Sequence, residues 1–430
     1  MLLQTTNLSL SFRLVGGAKV PRDPRTKYAS GRRHKPTAST YRSSPGQDGK
    51  RKSGVQPSGL SHPLSRRMNA KEDDHVLRAP AKLGKPRTNQ DDGPDYSNVR
   101  RNLGLELVRV TEAAALKSAR WLGKGDKEAA DQAAVDAMRH VLGQMEIEGT
   151  IVIGEGEKDE APMLYAGERF GDASLSSMDP YQLDIAVDPL DGTTLTAQGR
   201  NGAASVIAVA ERGCLLDPMP CTYMEKFVVG PAAVGKIDLN DTVTMNLYRV
   251  AKAMDKPMEN LIVAILARSR HEELIRECRQ AGVHVRLFND GDVEMSIAAA
   301  MPSSDADVMI GIGGSPEGVI SACALKCLDG EIQARLVART PDELERAMRK
   351  GIDLNRVLTT DDLCSGKEVY VSFTGVSPGS LVQGVQFTKR GAITHSMVMR
   401  SSSGSIRFLE THHRFGSEHG LENLPSRWYS

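Results

Sequence analysis

The chain has 430 residues, enough for two or three domains, and its 40% hydrophobic and 25% charged residues are typical of a globular protein. It contains no run of about 18 apolar residues, so the sequence predicts no membrane-spanning helix. The net charge of +1 is unevenly spread: residues 1–70 carry 14 Lys and Arg against two Asp, which leaves −11 for the rest. An acidic remainder argues against nucleic acid as its main partner.

Residues 1–97 form a basic leader rich in Ser, Pro and Gly without hydrophobic periodicity, a composition typical of disorder. Three interpretations stay open: an organelle transit peptide, a disordered basic tail, or a start assigned too early, with Met68 as a later first residue. We favour the third, which predicts a cytoplasmic protein. A transit peptide over residues 1–67 would instead place the protein in the plastid stroma.

From about residue 100, helical and strand-like patterns alternate along the chain. Helices are predicted at 113–121, 131–145, 247–254, 272–280, 316–328 and 341–350. Strands are predicted at 150–153, up to Asp188, at 204–210 and 261–267, and in a β-rich end at 369–374, 384–387, 393–399 and 406–409. This alternation predicts a layered α/β architecture.

The most informative segment is Asp-Pro-Leu-Asp-Gly-Thr at 188–193, which follows a short apolar run. We expect a buried strand to end at Asp188 and a turn punctuated by Pro and Gly to follow it. Two carboxylates at such a strand end repel each other unless a cation neutralises them, and the Thr193 hydroxyl beside them can hold a water. The segment predicts a divalent cation site; the alternative is a turn capped by Asp side chains.

Four other segments repeat this combination of acid and glycine. Three follow the apolar runs at 150–153, 283–288 and 307–310, and the fourth opens a helical pattern at 125–131. Several strands that end in acids and glycines suggest a shared edge where carboxylates converge. The sequence therefore predicts a site for two or more divalent metal ions.

Seven segments in colinear order resemble the class II fructose-1,6-bisphosphatases of bacteria, a branch of the lithium-sensitive phosphatases. They read RWLGKGDKEAAD at 120–131, IVIGEGEKDEAPML at 151–164, DIAVDPLDGTTL at 184–195, YMEK at 223–226, ILARSRH at 265–271, NDGDV at 289–293 and GIGGSPEGVI at 311–320. The resemblance implies the sugar-phosphatase fold, an αβαβα sandwich with its active site between two subdomains. We expect a metal-binding subdomain at 98–258, a sugar-phosphate-binding subdomain at 259–415 and a tail at 416–430.

The resemblance also implies the metal site, for Mn²⁺ or Mg²⁺. The positions that match the family's ligands are Asp131, Glu155, Asp188, Asp191 and Glu317. Many relatives carry Glu at the position of Asp191. Aspartate keeps the negative charge, but its side chain is shorter. Taken without the family, Asp131 and Glu317 would be solvated acids on helix faces, the common position of such residues.

Catalytic and substrate contacts follow from the same resemblance. Thr193 would orient the attacking water with Asp159 or Glu157 as base, and Lys127 would neutralise phosphate or steer the carboxylates, unless it is a solvated charge. The matching substrate positions are Asp191, Gly192, Thr193, Tyr223, Arg268, Ser269, Arg270, Asp290, Gly291, Asp292 and Gly314. Arg268 and Arg270 would clamp the distal phosphate, because guanidinium groups match phosphate oxygens.

The implied reaction is the metal-assisted hydrolysis of fructose 1,6-bisphosphate to fructose 6-phosphate and phosphate, without a phospho-enzyme, in gluconeogenesis and glycerol metabolism. Two alternatives stay open. One is a related phosphatase for sedoheptulose 1,7-bisphosphate or for inositol or nucleotide phosphates, and the other is a non-catalytic sugar-phosphate-binding regulator. We expect a homo-oligomer, either a dimer or a tetramer, with a sugar bisphosphate as ligand and neither nucleic acid nor membrane as partner.

Overall fold

The computed structural model describes residues 103–156, 163–171, 181–302 and 304–415. The predicted leader at 1–97, the predicted tail at 416–430 and the candidate bases Glu157 and Asp159 lie outside the described residues. No helix in the described ranges is long and apolar enough to cross a membrane.

The described strands are β1 (Ile147–Ile153), β2 (Arg169–Phe170), β3 (Tyr181–Asp191), β4 (Ala204–Glu211), β5 (Tyr223–Val229), β6 (Ile262–Leu266), β7 (His284–Phe288), β8 (Val308–Gly314), β9 (Glu331–Val337), β10 (Tyr370–Gly375), β11 (Gln386–Thr388), β12 (Gly391–Arg400) and β13 (Ser405–Arg414). The α-helices are α1 (Leu103–Ser118), α2 (Lys127–Leu142), α3 (Thr193–Gln198), α4 (Val243–Ala253), α5 (Glu272–Gln280), α6 (Asp292–Ala300), α7 (Ser315–Leu328), α8 (Pro341–Arg349) and α9 (Thr360–Leu363). Each predicted helix and strand has a counterpart. The largest displacement is at α1, which begins at Leu103 rather than at residue 113.

Two sheets use different parts of the chain. The first runs β11-β12-β10-β4-β3-β1-β2, with β13 beside β12, so that strands from both ends of the described chain meet in it. The second runs β7-β6-β8-β5-β9 and takes its strands from the middle of the chain. The sheets do not divide the chain at one point, and the subdomain boundary between 258 and 259 stays a prediction.

Three hydrophobic clusters define the order of the layers. Helices α1 and α2 pack on one face of the first sheet, where Leu107 and Met138 share a core with Ile185. Helices α6 and α7 fill the space between the two sheets. Helices α4 and α5 cover the far face of the second sheet. The order of helices, sheet, helices, sheet and helices confirms the predicted α/β class and matches the αβαβα sandwich.

Strand β3 corrects the expectation of a turn directly after Asp188, because the strand continues through Pro189 to Asp191. Asp188 is opposite Val206 and Asp191 is opposite Ala204, so β3 contains one extra residue relative to β4, which is a β-bulge. In a regular strand, residues three apart point to opposite faces, and the extra residue returns Asp188 and Asp191 to the same face. A bulge also tolerates the proline, which cannot donate to the ladder.

Candidate active site

The five predicted metal ligands come from four elements whose ends meet. Asp131 lies on α2, Glu155 directly follows β1, Asp188 and Asp191 lie at the bulged end of β3, and Glu317 lies in the first turn of α7. Loss of solvent raises the pKa of Asp188 well above its usual range, and the charges of the other four carboxylates raise it further. All five carboxylates therefore share one electrostatic environment.

Loss of solvent is the largest cause of the raised pKa of both Glu155 and Glu317. Loss of solvent around the carboxylate, followed by the charges of Asp131 and Glu317, raises the pKa of Glu155 to about 7, although the residue as a whole is exposed. Burial of the Glu317 carboxylate raises its pKa. The positive charge of Lys226 opposes this rise, and the negative charge of Asp292 adds to it. Without a cation, the site favours protonated acids.

Two carboxylate oxygens at the centre of this group lack partners. Oδ2 of Asp191 and Oε2 of Glu317 are buried and accept no hydrogen bond from the described residues. A buried oxygen without a hydrogen-bond partner lowers the stability of the fold. Hard divalent cations take carboxylate oxygens as ligands, so these residues fit a divalent metal ion. No three acidic, His or Cys side chains in the described ranges are close enough to hold an ion as they lie. Ligation would therefore draw them together.

Glycines turn the chain into the helices that carry the next site residues. Gly192 and Gly291 both have φ of 92°, and they precede α3, which begins with Thr193, and α6, which begins with Asp292. Such left-handed backbone costs a glycine little. The predicted water-orienting hydroxyl of Thr193 and the predicted sugar contact of Asp292 thus follow turns of the same kind.

Asp290 connects the acidic group with the basic part of the site. Its charge raises the pKa of Asp191, after burial, which is the larger cause. Its Oδ1 lies 4.0 Å from Nη2 of Arg268. Burial raises the pKa of Asp290 itself, and the charges of Arg268 and Lys127 oppose that rise. Lys127, exposed in the first turn of α2, is therefore within electrostatic reach of Asp290.

Arg268, Ser269 and Arg270 are exposed in a short turn after β6. Arg270 donates through Nε and Nη2 to the carbonyl oxygen of Ile312, at 3.0 and 2.6 Å. Its guanidinium carbon lies 5.2 Å from the centroid of the Tyr223 ring. The structure thus brings together Tyr223 and Arg270, two predicted substrate contacts that are far apart in the sequence.

Two further cations of this region, Arg339 and Lys226, are not among the predicted site residues. The guanidinium carbon of Arg339, which follows β9, lies 4.2 Å from the centroid of the Tyr223 ring, so it belongs to the same basic cluster. Lys226 on β5 is fully buried, and its Nζ donates to Oδ2 of Asp292 at 2.6 Å and to the carbonyl oxygen of Gly314 at 3.1 Å. A lysine in the mostly apolar strand 224–229 was the available signal, because lysine is rarely buried without a partner.

The glycine-rich segment 311–318 makes room for carboxylates. A Cβ at Gly313 would overlap Oδ2 of Asp292, and a Cβ at Gly314 would overlap the carboxylate of Glu317. These glycines let both acids lie against the backbone of β8 and α7. The structure therefore contains the described candidates in one region, while the role of each residue stays a prediction.

Comparison with known proteins identifies the family. The family model described as "Bacterial fructose-1,6-bisphosphatase, glpX-encoded" matches residues 101–413. Fructose-1,6-bisphosphatase 1 class 2 of Escherichia coli (strain K12) is 45% identical over 328 residues, which cover 73% of this chain and 96% of that protein. The class 2 enzyme of Shigella flexneri matches with the same identity and coverage. The chain belongs to the class II fructose-1,6-bisphosphatase family. Membership confirms the resemblance and makes the protein a phosphatase.

Two solved structures also align with the chain. They are inositol monophosphatases from Zymomonas mobilis and from Anabaena (Nostoc) sp. PCC 7120, with 18% and 14% identity and a TM-score of 0.24 each. The alignments cover 44% and 45% of this chain and 70% and 69% of those chains. Similarity at this level bears on neither the fold nor the site.

The raised pKa values predict how pH and cations act on stability. A carboxyl whose pKa is higher in the folded state stabilises the fold at low pH, and that contribution is lost as pH rises through the folded value. For Glu155 this window runs from about 4.5 to about 7. We expect the melting temperature without divalent cations to fall across this window, measured by thermal scans after chelation and dialysis. Added Mg²⁺ should restore it at pH 7.5, by about 5–10 °C at a hundred times its Kd.

The control for this measurement is Glu155→Gln, which removes the titrating group and one ligand. It should flatten the pH dependence between 5 and 7 and weaken the response to Mg²⁺. A cation response of the same size at pH 5 and pH 7.5 would contradict binding to these carboxylates.

Proposed function

We propose that this phosphatase hydrolyses fructose 1,6-bisphosphate to fructose 6-phosphate and phosphate as a step of gluconeogenesis, and that it uses Mg²⁺ or Mn²⁺. The observation that supports this most is the arrangement of charge in the site. A group of carboxylates suited to cations lies at one end, and a cluster of arginines lies at the other, with Asp290 within reach of both. A sugar with a phosphate at each end is the ligand that such a site fits.

The acidic end would bind the reacting phosphate. Asp131, Glu155, Asp188, Asp191 and Glu317 would hold the cations, which supply charge neutralisation and Lewis-acid polarisation of the phosphate when bound. In addition, the Thr193 hydroxyl would orient the attacking water and Lys127 would neutralise the phosphate. Asp159 or Glu157 would take the proton from that water, so no phospho-enzyme is required.

The basic end would bind the sugar and the distal phosphate. Asp290 and Asp292 would accept hydrogen bonds from sugar hydroxyls, and the exposed guanidinium groups of Arg268 and Arg270 would donate to the distal phosphate. Arg339 joins this group because it contacts the same Tyr223 ring as Arg270 does. A monophosphate would leave this cluster without its ligand, which favours a bisphosphate over inositol monophosphate.

We further propose a cytoplasmic homo-oligomer, either a dimer or a tetramer. Strand β13 supports self-association, because within the described residues it pairs only with β12 and leaves its other edge open. Its ten residues include Phe408, which is 59% exposed. An open edge of this length and an exposed aromatic ring are features of surfaces that pair with another chain.

Substitutions of two aspartates on β3, Asp188 and Asp184, should distinguish an effect on catalysis from an effect on stability. Asp188→Ala should lower kcat for fructose 1,6-bisphosphate by more than about a hundredfold, because loss of even an indirect support of a metal ligand costs 10- to 100-fold. The melting temperature without added metal should stay equal or rise, since one repelling charge is removed. Phosphate release and thermal scans measure the two effects.

The matched control is Asp184→Ala on the same strand. Asp184 is buried, accepts hydrogen bonds from the backbone of Cys214 and Leu215 and lies 3.4 Å from Arg212. Its loss should cost on the order of 3 kcal/mol of folding free energy with kcat preserved. Near-normal kcat in Asp188→Ala would refute the ligand role of that residue.

A separate prediction concerns Arg268 and Arg270 at the basic end. Replacing Arg268 and Arg270 together by Ala should raise KM for fructose 1,6-bisphosphate with a smaller change in kcat, because remote binding is largely uniform between ground and transition states. Each lost charge-assisted contact costs about 1.5–3 kcal/mol, which is ten- to a hundredfold. p-Nitrophenyl phosphate, which lacks a distal phosphate, should be hydrolysed almost as well as by the wild type.

Arg276→Ala is the matched control, since Arg276 is an exposed arginine of α5 that pairs only with Glu273 in the described structure. It should leave both substrates unaffected. Equal losses on both substrates in the double variant would mean that the arginines serve the reacting phosphate or the fold. A panel with sedoheptulose 1,7-bisphosphate, inositol monophosphate and a nucleotide phosphate tests the alternative substrates. The non-catalytic regulator would be favoured if the wild type hydrolysed neither these compounds nor fructose 1,6-bisphosphate.

A further inference from the structure

Lys226 is a buried cation in the second sheet, on the strand next to the edge strand β9. Strand β5 lies between β8 and β9, and Lys226 is opposite Gly311 on one side and Ala334 on the other. The side chain is fully buried, and the two acceptors of its Nζ are Oδ2 of Asp292 and the carbonyl oxygen of Gly314. Both acceptors are predicted substrate contacts.

The backbone around Lys226 is shaped for this pair. A Cβ at Gly313 would overlap Oδ2 of Asp292 and would lie 2.9 Å from Nζ of Lys226. Strand β8 therefore lacks a side chain at the point where the lysine and the carboxylate meet. A buried ion pair is a poor source of stability compared with apolar residues of the same volume, so its presence in an apolar strand requires another reason.

We propose that Lys226 is a positioning residue for the sugar-binding part of the active site, and this rests on the proposed function. By holding Oδ2 of Asp292, it leaves the other carboxylate oxygen, Oδ1, for a sugar hydroxyl. By holding the carbonyl oxygen of Gly314, it fixes the start of the helix that carries Glu317.

The charge of Lys226 gives this role a signature that a structural role lacks. Burial raises the pKa of Glu317, and the charge of Lys226 is the largest opposing cause, so the lysine lies within electrostatic reach of that predicted ligand. Removing the positive charge makes the acidic group more negative. Binding of a divalent cation should then be unchanged or tighter. Binding of a sugar phosphate should be weaker, because its hydroxyls would meet an Asp292 carboxylate that Lys226 no longer holds.

The experiment compares Lys226→Met, Lys226→Arg and the double variant Lys226→Met/Asp292→Asn with the wild type. Lys226→Met keeps the length of the side chain without the charge, and the double variant leaves no unpaired buried charge if the single one fails to fold. Arg335→Met is the matched control, because Arg335 forms a neighbouring cross-strand ion pair with Glu225, at 3.1 Å, that involves no site residue. The measurements are kcat and KM for fructose 1,6-bisphosphate and p-nitrophenyl phosphate, Mn²⁺ binding by calorimetry, and melting temperature.

We expect Lys226→Met to lower kcat/KM for fructose 1,6-bisphosphate by about ten- to a hundredfold, mainly through KM. kcat/KM for p-nitrophenyl phosphate, which has no sugar hydroxyls, should stay within about threefold, and the Kd for Mn²⁺ should be equal or lower. Lys226→Arg should recover part of the loss because it restores the charge. The double variant should show the same selective loss with a melting temperature closer to that of the wild type. Arg335→Met should behave as the wild type on both substrates.

Three results would overturn the proposal: equal losses on both substrates, Mn²⁺ affinity that falls with activity, or a double variant with normal KM for fructose 1,6-bisphosphate. The wild-type arm tests the proposed function separately. If the wild type does not hydrolyse fructose 1,6-bisphosphate, that function fails. The same comparison is then made with the phosphorylated sugar that the wild type hydrolyses fastest.

Discussion

Carboxylates that are shielded from water and close together repel one another, and the site around Asp188 and Asp191 depends on opposing that repulsion. The opposing free energy comes from hydrophobic packing outside the site. Met138 of α2 is fully buried in the core on one side of the first sheet, and Val319 of α7 is buried in the core between the sheets. Burial of such side chains holds the ends of α2, β3 and α7 together although the acids at those ends favour separation. Conflict of this kind between stability and site geometry is common in enzymes.

Two departures from regular strand geometry bring the acids to one place. The bulge in β3 returns Asp188 and Asp191 to the same face, which three-residue spacing in a regular strand would prevent. In β8, the missing side chains of Gly313 and Gly314 let the carboxylates of Asp292 and Glu317 lie against the backbone. The first device orients side chains from the first sheet, and the second makes space beside the second sheet. The second explains why Glu317 lies in a glycine-rich segment.

Periodicity predicted the elements with one clear apolar face, such as α5 and α8, within a few residues. It gave no prediction for α6, because every residue of that helix is buried between the sheets and no polar face marks it. Pro189 was taken as part of a turn because the register of β4, which creates the bulge, is not a local property. The site residues came from the family resemblance. Lys226 lies in the matched segment 223–226 but had no role assigned, and Arg339 lies in none of the matched segments. Their contacts with Asp292 and Tyr223 could not be predicted, because those residues are distant in sequence.

The two ends of the site present positive charge to a phosphate in different ways. At the basic end the charge belongs to guanidinium groups, which stay protonated and donate along fixed directions. At the acidic end, most of the positive charge must come from cations that carboxylates hold. Under the proposed function, the first arrangement retains a phosphate ester without activating it, and the second both neutralises and polarises it. Lys226 acts on both ends: its Nζ contacts Asp292 of the basic end, and its positive charge is within electrostatic reach of Glu317 at the acidic end. A bisphosphate bound across both ends would therefore lose the phosphate at the acidic end and keep the other.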